Sequence, residues 1–394
     1  MKFFSTQTRN ILIYATLFLP IAASAQSVGQ GGTNTNGSNS TQIPTAVPFL
    51  LITPDSRSGA MGEAGVAISP DVNANFWNPS KLAFLDAHDD VSVSYSPWLR
   101  NLVPDVSLAY VSYAHKLDDR NTFGASLRYF NLGSIEETDA SQNSLGVYSP
   151  NEFSIDGSFA RKFGNEFSLG LSLRYIHSSL FNGTFSGNQT VKPGNAVAAD
   201  VSLYYTKPMQ EFGKEATFSF GTNISNIGSK MSYTDNGTKY FLPTNWRLGI
   251  ANTLNLDQYN QLTFALDFNK LLVPTPPIRD ADGNIIKGKD DNVSVPAGIF
   301  GSFTDAPNGF SEEMQEITIS PGIEYWYNKV FALRAGYYYQ NPNKGGLHYF
   351  TLGTGLRYDI FAFDFSYIAA SQQNSPLANT LRFTLMLNFG GSSK

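Results

Sequence analysis

Cysteine is absent from this chain of 394 residues, and charged residues are scarce. Without cysteine, an exported chain has no disulfide framework and no thiolate metal site or nucleophile, so its stability must come from packing and hydrogen bonds. Charged residues make up 15% of the chain, against the roughly 25% of ordinary soluble domains. Aromatic residues are abundant instead, with 30 Phe and 20 Tyr. This composition is typical of a chain that is solvated partly by lipid.

A long apolar run is also missing. The run from Ile11 to Ala22 is about 12 residues, which is too short for a membrane-spanning helix. It follows the basic residues Lys2 and Arg9 and precedes Ala23-Ser24-Ala25, which is the layout of a cleaved secretory signal. We therefore expect a signal peptide over residues 1–25, and any membrane crossing must use strands.

The sequence also lacks a basic stripe. The net charge is −5, and no basic run carries interleaved aromatic residues, so we exclude a nucleic-acid partner. Residues 26–42 contain almost no apolar side chain, and we expect a flexible lead-in there.

From Asp90 onward, apolar and polar residues alternate in about 14 segments of about 9 to 12 residues, the length that a tilted strand needs to cross a bilayer. The links between the segments are alternately tight and longer, and the largest covers residues 271–315. Short periplasmic turns and longer outer loops are typical of outer-membrane barrels. The sequence therefore predicts an all-β fold over residues 90–390. It is an antiparallel transmembrane β-barrel of about 14 strands in the outer membrane of a Gram-negative bacterium, with both termini periplasmic.

The charged residues of the strands obey strand parity. Side chains i and i+2 share a face, and a charge on the lipid side is costly, so charges opposite the apolar row must point inward. Their mixture of signs has two readings, an anion-binding lumen or a satisfied network that holds the wall to a plug, and we favour the network. The predicted lumen residues are Arg128, Arg174, Arg247, Arg334, Arg357, Arg382, Asp156, Asp200, Asp267, Glu324 and Asp364.

Residues 43–89 lack period-2 alternation and contain three glycines and a turn at Trp77-Asn78-Pro79. A barrel of about 14 strands is too wide for its own side chains to fill, so its lumen must be wet or plugged. We therefore predict that residues 43–89 form an N-terminal plug, or hatch, in which Arg57, Trp77, Asn78 and Pro79 are candidate structural residues.

The largest loop is apolar at both ends, and its prolines stiffen an extended run. Exposed apolar residues on a surface loop are unfavourable unless a partner covers them, although the same residues could simply pack on the barrel rim. We take as partner-binding candidates Leu271, Leu272, Val273, Pro274, Pro276, Pro277, Phe300, Phe303 and Phe310. Residues Phe310 to Gln315 are predicted to form a short helix begun by Ser311.

Enzyme chemistry has no visible motif. The four histidines, at positions 88, 115, 177 and 348, are scattered, and neither His-Glu-x-x-His nor Gly-x-Ser-x-Gly occurs. The acidic stretch 280–291 hints at calcium, but Gly283 comes too early for an EF-hand and no bidentate Glu follows, so a polar loop tip is the favoured reading. We expect no cofactor.

Several long motifs carry a family resemblance. They are PFLLITPDSRSGAMGEAGVAISPD from Pro48, NISNIGSK from Asn223, FLPTNWRLG from Phe241, DFNKLLVPTPP from Asp267 and FTDAPNGFSEE from Phe303. In this order they resemble the PorV family, the FadL-like barrels of the type IX secretion system in Bacteroidetes. The stretch Asn78-Pro79-Ser80-Lys81-Leu82-Ala83 also resembles the Asn-Pro-Ala hatch of FadL-like transporters, with Ser80 in place of Ala.

The resemblance implies a role without catalysis. Proteins of this family associate with the giant translocon barrel (SprA-like), bind the C-terminal signal domains of secreted cargo, and pass the cargo to a sortase-like attachment complex (PorU-like). An alternative is a FadL-like passive transporter of hydrophobic small molecules. The resemblance supplies no catalytic residues to transfer.

Overall fold

The computed structural model describes residues 42–99, 105–138, 144–180, 184–185, 189–234, 237–370, 377 and 379–390. The predicted signal peptide and nearly all of the predicted lead-in lie outside the described residues. In the described part of the chain, no helix is long and apolar enough to cross a membrane.

Strands dominate the described chain. They are β1 Asp89–Pro97, β2 Val106–Lys116, β3 Asn121–Leu132, β4 Ile135–Thr138, β5 Ser144–Tyr148, β6 Asn151–Lys162, β7 Phe167–Ser179, β8 Thr184–Phe185, β9 Gln189–Thr190, β10 Gly194–Glu211, β11 Lys214–Gly228, β12 Asn245–Asn255, β13 Asn260–Leu271, β14 Ile278–Arg279, β15 Ile285–Lys287, β16 Thr318–Tyr327, β17 Phe331–Tyr339, β18 His348–Tyr358, β19 Phe361–Ala370 and β20 Leu381–Phe389. The short helices are α1 Ser56–Gly59, α2 Ala74–Trp77, α3 Val295–Gly301 and α4 Phe310–Gln315, with 3₁₀ turns at Pro48–Leu51, Pro79–Phe84 and Pro342–Lys344.

Fourteen of these strands close into one antiparallel barrel, which confirms the predicted fold class. The order is β1-β2-β3-β6-β7-β10-β11-β12-β13-β16-β17-β18-β19-β20, and β1 pairs with β20 to close the ring. The remaining six strands form three small hairpins within the loops: β4 with β5, β8 with β9, and β14 with β15. A closed ring leaves no unpaired sheet edge, which is the condition for strands to span a membrane.

Burial alternates along the strands with the period of two that the sequence shows. In β3, the Arg128 side chain is buried at 1% exposure, whereas its neighbours Leu127 and Tyr129 are 42% and 43% exposed on the outer face. The outward row is apolar because it faces hydrocarbon, and the inward row carries the polar groups.

The two ends of the barrel differ in their connections. The short-turn end has the tight links, and one of them, between β16 and β17, places Asn328 and Lys329 at φ 51° and 54°, the left-handed geometry that suits a tight hairpin. The short-turn links are 117–120, 163–166, 212–213, 256–259, 328–330 and 359–360. The long-loop end carries the links 98–105, 133–150, 180–193, 229–244, 272–317, 340–347 and 371–380.

Residues 42–88, which we call the inner segment, run inside the barrel from one end to the other. At the long-loop end, Ala46 N–H donates to the carbonyl of Phe241 at 2.9 Å; at the short-turn end, His88 N–H donates to the carbonyl of Phe389 at 3.1 Å. The first described residues therefore lie toward the long-loop end, and the end of β20 lies at the short-turn end. The prediction that both termini are periplasmic concerns residues outside the described part of the chain and stays a prediction. An even strand number puts the start of β1 and the end of β20 together, but a segment that crosses the lumen before β1 must enter from the opposite end.

The inner segment is hydrogen-bonded to strands all round the ring. Its partners include Thr384 of β20, Ser112 of β2, Ser202 of β10, Thr351 of β18 and Asp267 of β13. Wall glycines allow the closest approach: a Cβ placed on Gly336 of β17 would lie 2.0 Å from the backbone nitrogen of Gly62. A backbone that contacts opposite sides of the ring fills the space between them.

Candidate functional site

The base of the large loop, residues 272–317, is folded onto the barrel rim. Leu272 and Val273 are 2% and 1% exposed, and Pro274 is also buried. Leu272 N–H donates to the carbonyl of Thr244 at 2.8 Å, which continues the β12–β13 pairing into the loop. The expectation of an exposed apolar run is wrong for these three residues, because packing on the rim removes them from water without any partner. Leu271, Pro276 and Pro277 are half-buried.

A buried cluster of charges, the rim cluster, fixes the loop above this base. Lys270, at the end of β13, binds Glu313 at 3.0 Å and also binds Glu316. Lys344, from the 3₁₀ turn Pro342–Lys344, binds Glu312 at 2.6 Å and Glu316 at 2.9 Å. Helix α4 therefore lies with its acidic face on two lysines, one at the end of β13 and one in the link between β17 and β18. The predicted helix is confirmed, although Gly309 and not Ser311 precedes it.

Asp305 adds another carboxylate to the rim cluster. One of its oxygens accepts from Thr275 N–H at 3.3 Å, and the other has no hydrogen-bond partner among the described residues. Burial, followed by the charge of Glu313, raises the pKa of Asp305 to about 6. The rim cluster therefore contains more carboxylates than lysines: its acids are Asp305, Glu312, Glu313 and Glu316, and its lysines are Lys270 and Lys344. The sequence did not reveal it, since its members come from separate links.

The upper side of the large loop presents aromatic side chains to solvent. Phe300 of α3 and Phe310 of α4 are 78% and 77% exposed, and Met314, also on α4, is 50% exposed. Phe303 is partly covered, with its ring 6.0 Å from that of Trp246. We call Phe300, Phe310 and Met314 the apolar loop face. Of the nine loop residues predicted from sequence, Phe300 and Phe310 remain the most exposed.

The acidic tip of the loop is internally bonded. The Asp280 carboxylate accepts from the backbone N–H groups of Asp282 and Asn284, and this hydrogen bonding lowers its pKa. Arg279 binds Asp291 at 2.7 Å. These bonds favour the polar loop tip over a calcium loop.

A cavity of about 390 Å³ lies between the inner segment and the base of the large loop. Charged groups of both signs line it, among them Glu63, Arg247, Glu316 and Lys344. A second cavity of about 430 Å³ opens at the short-turn end, beside Arg57. The two cavities have no lining residue in common, and residues of the inner segment line both.

Part of the predicted lumen network forms a continuous chain of ion pairs from the inner segment to the wall. Arg57 binds Glu324 at 2.7 Å, and Arg334 binds the other oxygen of Glu324 at 2.6 Å. Arg334 also binds Asp364 at 2.8 Å, and Arg357 binds the same carboxylate at 3.1 Å. Arg57 is thus the plug candidate that joins the predicted wall charges.

Other predicted charges are held separately. Arg174 binds Asp156, and Asp200 at 3.0 Å. Arg382 binds Glu63 of the inner segment at 3.3 Å. The carboxylate of Asp267 binds no arginine in the described chain and accepts instead from the backbone N–H groups of Gly65 and Val66, at 2.7 and 2.9 Å.

Arg128 and Arg247 differ from the other predicted lumen arginines, because neither forms an ion pair with a carboxylate within the described residues. They lie 4.7 and 4.6 Å from the centre of the same ring, Phe76, and Arg247 is also 5.0 Å from the ring of Trp77. Arg128 donates to the carbonyl of Leu50 at 2.7 Å. The negative ring faces and the carbonyl oxygens replace the expected carboxylates.

The remaining plug candidates form the polar framework of the inner segment. Trp77 donates its indole N–H to Asp55 at 2.6 Å. Asn78 donates from its side-chain amide to the carbonyls of Val66 and Leu203, each at 3.0 Å. Pro79 begins the 3₁₀ turn that follows. Phe76 and Asp55 were not predicted from sequence, because a buried Phe and an N-terminal cap are common and carry no distinctive signal.

A closed antiparallel barrel with an apolar outer face and a buried polar interior defines an outer-membrane barrel protein. A family profile for the Type IX secretion system protein PorV matches residues 33–278, more than half of the chain. The chain therefore belongs to the PorV family. This is a family of secretion-system components and not an enzyme family.

Solved barrel structures resemble the chain at low identity. The toluene transporter TbuX of Ralstonia pickettii is 11% identical, over 85% of this chain and 98% of its own, with a TM-score of 0.46. A FadL homologue of Pseudomonas aeruginosa is 11% identical, over 89% and 99%, with a TM-score of 0.39. At these scores the likeness carries no argument about function. No curated protein matches the chain.

Proposed function

We propose that this protein binds partner proteins of the type IX secretion system through its long-loop end. The partners are the giant translocon barrel, the C-terminal signal domains of secreted cargo and the sortase-like attachment complex. The observation that carries this proposal is the apolar loop face, where Phe300 and Phe310 are more than three-quarters exposed on a loop that buried ion pairs hold in place. Exposed aromatic groups on an ordered base are the usual anchors of protein interfaces.

The inner segment supports a binding role over a channel role. We propose that residues 42–88 act as a plug, because they contact strands all round the ring and line both cavities. The cavity at the long-loop end is lined by apolar residues such as Leu51 and Leu347 and by charged groups such as Glu63 and Lys344, and the plug would close it toward the short-turn end. We therefore do not retain small-molecule transport as a second function, and we propose no catalytic role.

We place the long-loop end at the cell surface, as in other outer-membrane barrels. The start of the described chain then lies at the outer face and the end of β20 in the periplasm. This orientation puts the apolar loop face where exported cargo and the attachment complex meet the barrel.

The test is the double variant Phe300→Ala with Phe310→Ala, made in a host that has a type IX secretion system but lacks its own copy of this protein. We expect co-purification with the translocon and surface anchoring of cargo to fall by at least about tenfold, since aromatic anchors contribute on the order of 2 kcal/mol or more each. The matched control is Phe212→Ala, which removes a 93% exposed phenylalanine from the short-turn end. Equal recovery of partners by the double variant and the control, with the barrel intact by its heat-dependent migration on gels, contradicts the proposal.

A further inference from the structure

Two of the histidines that are scattered in sequence meet at the short-turn end. Asp89 is the cross-strand partner of His115 in the β1–β2 pairing, and His88 directly precedes Asp89. The Nδ1 atoms of His88 and His115 lie 2.8 and 2.7 Å from the two carboxylate oxygens of Asp89. One possible ligand atom from each of the three residues lies within 4.8 Å of the other two.

The backbone holds these three residues at the seam that closes the barrel. His88 N–H donates to the carbonyl of Phe389 in β20 at 3.1 Å, and Lys116 N–H donates to the carbonyl of His88 at 2.8 Å. Position 88 is therefore bonded to both strands that flank β1, and the register of β1 with β2 fixes the other two positions. A site on strand backbone is held more rigidly than one on a mobile loop.

Two imidazole nitrogens and one carboxylate oxygen are a common donor set for Zn²⁺, which takes three protein ligands and one water in open sites. In a tetrahedral site with bonds of about 2.0 to 2.1 Å, neighbouring ligand atoms lie about 3.3 Å apart. The two N–O contacts go to different oxygens of Asp89 and need to open by about half an ångström, and the three ligand atoms lie within 4.8 Å of one another. Tyr113 O–H donates to Asp89 at 2.7 Å, an outer hydrogen bond of the kind that orients a ligating carboxylate.

Solvent and charge also favour a cation here. The side chains of His88, Asp89 and His115 are 58%, 33% and 35% exposed. Asp89 and His115 lie on the outward row of β1 and β2 at the short-turn ends of these strands, where an ion can approach from the rim of the barrel. The stretch Asp86-Ala87-His88-Asp89-Asp90 adds two further carboxylates nearby, opposed by Lys116 on the neighbouring strand.

We propose that His88, Asp89 and His115 form a zinc-binding site at the short-turn end. The ion joins the last residue of the inner segment to β1 and β2, and through the backbone bond of His88 it strengthens the seam with β20. This function is separate from partner binding at the opposite end of the barrel, so either proposal can fail while the other stands.

The test is zinc titration of the purified full-length barrel in detergent at pH 7.5, without a polyhistidine tag, in competition with a chromogenic chelator. We expect one zinc per chain and a dissociation constant in the micromolar range or tighter. The variants His88→Asn and His115→Asn should each weaken binding by at least about tenfold, since even outer-shell changes have effects of that size. His177→Asn is the matched control, because His177 binds Asn195 at the long-loop end, and it should bind zinc as the unaltered barrel does.

A second readout separates loss of the site from loss of the fold. Zinc at 100 times the dissociation constant of the unaltered barrel should raise the thermal midpoint of the unaltered barrel and of His177→Asn, and should raise that of His115→Asn by about half as much or less. Co²⁺ in place of zinc should give the visible absorption of a tetrahedral site in the same two proteins. Zinc binding of equal strength in the unaltered barrel and in both histidine variants overturns the proposal, and so does the absence of saturable binding.

Discussion

The two sides of the lumen hold their arginines in different ways. On the side formed by β16 to β19, Arg57, Arg334 and Arg357 share the carboxylates of Glu324 and Asp364. Arg128 of β3 and Arg247 of β12 lie against the ring of Phe76 and donate to carbonyl oxygens, whereas Arg174 of β7, between them in the ring, is ion-paired. We call the first the ion-paired side and the second the aromatic side.

A buried guanidinium can therefore be held without a carboxylate. An ion pair compensates charge and leaves a buried charge behind when one partner is removed. A ring face and a carbonyl supply weaker, neutral contacts whose strength depends on shape and desolvation. The ion-paired side should therefore be more sensitive to removal of one charge, and the aromatic side to a change of ring shape.

The largest effect is expected from Glu324→Gln on the ion-paired side. The neutral amide leaves Arg57 and Arg334 without the carboxylate that they share, so the free energy of unfolding should fall by about 3 to 5 kcal/mol. Urea unfolding of the barrel in lipid vesicles measures it. Asp282→Asn, on an exposed loop, is the control and should have no measurable effect. A loss of less than about 1 kcal/mol for Glu324→Gln would place this pair with ordinary surface ion pairs and remove the contrast between the two sides.

The next effect concerns the contact between the inner segment and the wall. A methyl group on Gly336 would lie 2.0 Å from Gly62 N, so Gly336→Ala must displace the backbone of the inner segment. We expect a destabilisation of about 1 to 3 kcal/mol, together with increased ion conductance in planar bilayers. Gly157→Ala in β6 is the matched control, since a Cβ there meets nothing within 4 Å. If both variants conduct no more than the unaltered barrel, the inner segment is not the seal we propose.

On the aromatic side, Phe76→Leu keeps an apolar side chain but removes the ring face. Both arginines lose a cation–π contact, so we expect a loss of about 1 to 2 kcal/mol in the same vesicle assay, with the barrel still closed. Phe49→Leu provides a comparison, because its ring is 5.9 Å from Arg128 and does not contact Arg247 within the described contacts. Equal losses for the two variants would assign the effect to packing and not to the arginines.

The barrel could be predicted because its signals are local. Period-2 alternation fixes which residues of a strand face inward, so the burial of Arg128, Arg174 and Arg334 followed from their own strands. Their partners did not follow, since contacts across the lumen depend on the stagger of the ring and on the path of the inner segment. The position of Phe76 close to both Arg128 and Arg247 depends on that path.

The candidate site was harder to predict for the same reason. Leu272 and Phe300 are both apolar residues of the large loop, yet the first packs on the rim and the second faces solvent. Leu272 continues the pairing of β13 through its bond to Thr244, whereas Phe300 lies on α3. The lysines that bind α4, Lys270 and Lys344, are distant in sequence from each other. The closeness of His88 and His115 likewise required the β1–β2 register.

The smallest effect is expected at the rim cluster, which is ion-paired like the first side of the lumen but has an excess of acid. The pKa of Asp305 is raised from 3.8 to about 6, so between these values the folded loop holds a proton that the unfolded loop has lost. Its contribution to stability therefore falls as the pH rises from about 4 to about 6 and is constant above that range. Glu313 and Glu316 oppose its charge, and Lys270 favours it. We expect hydrogen exchange in α4 to be faster at pH 7 than at pH 5.

Asp305→Asn removes the titrating group and should keep the slow exchange of pH 5 at pH 7, after correction for the intrinsic pH dependence of exchange. Asp280→Asn is the control, because hydrogen bonding within its own turn lowers the pKa of Asp280 out of this range. If the corrected exchange of α4 in the unaltered protein is the same at pH 5 and pH 7, the excess acid is balanced by contacts other than a proton on Asp305. The charges of the rim cluster would then be compensated by its own ion pairs with Lys270 and Lys344.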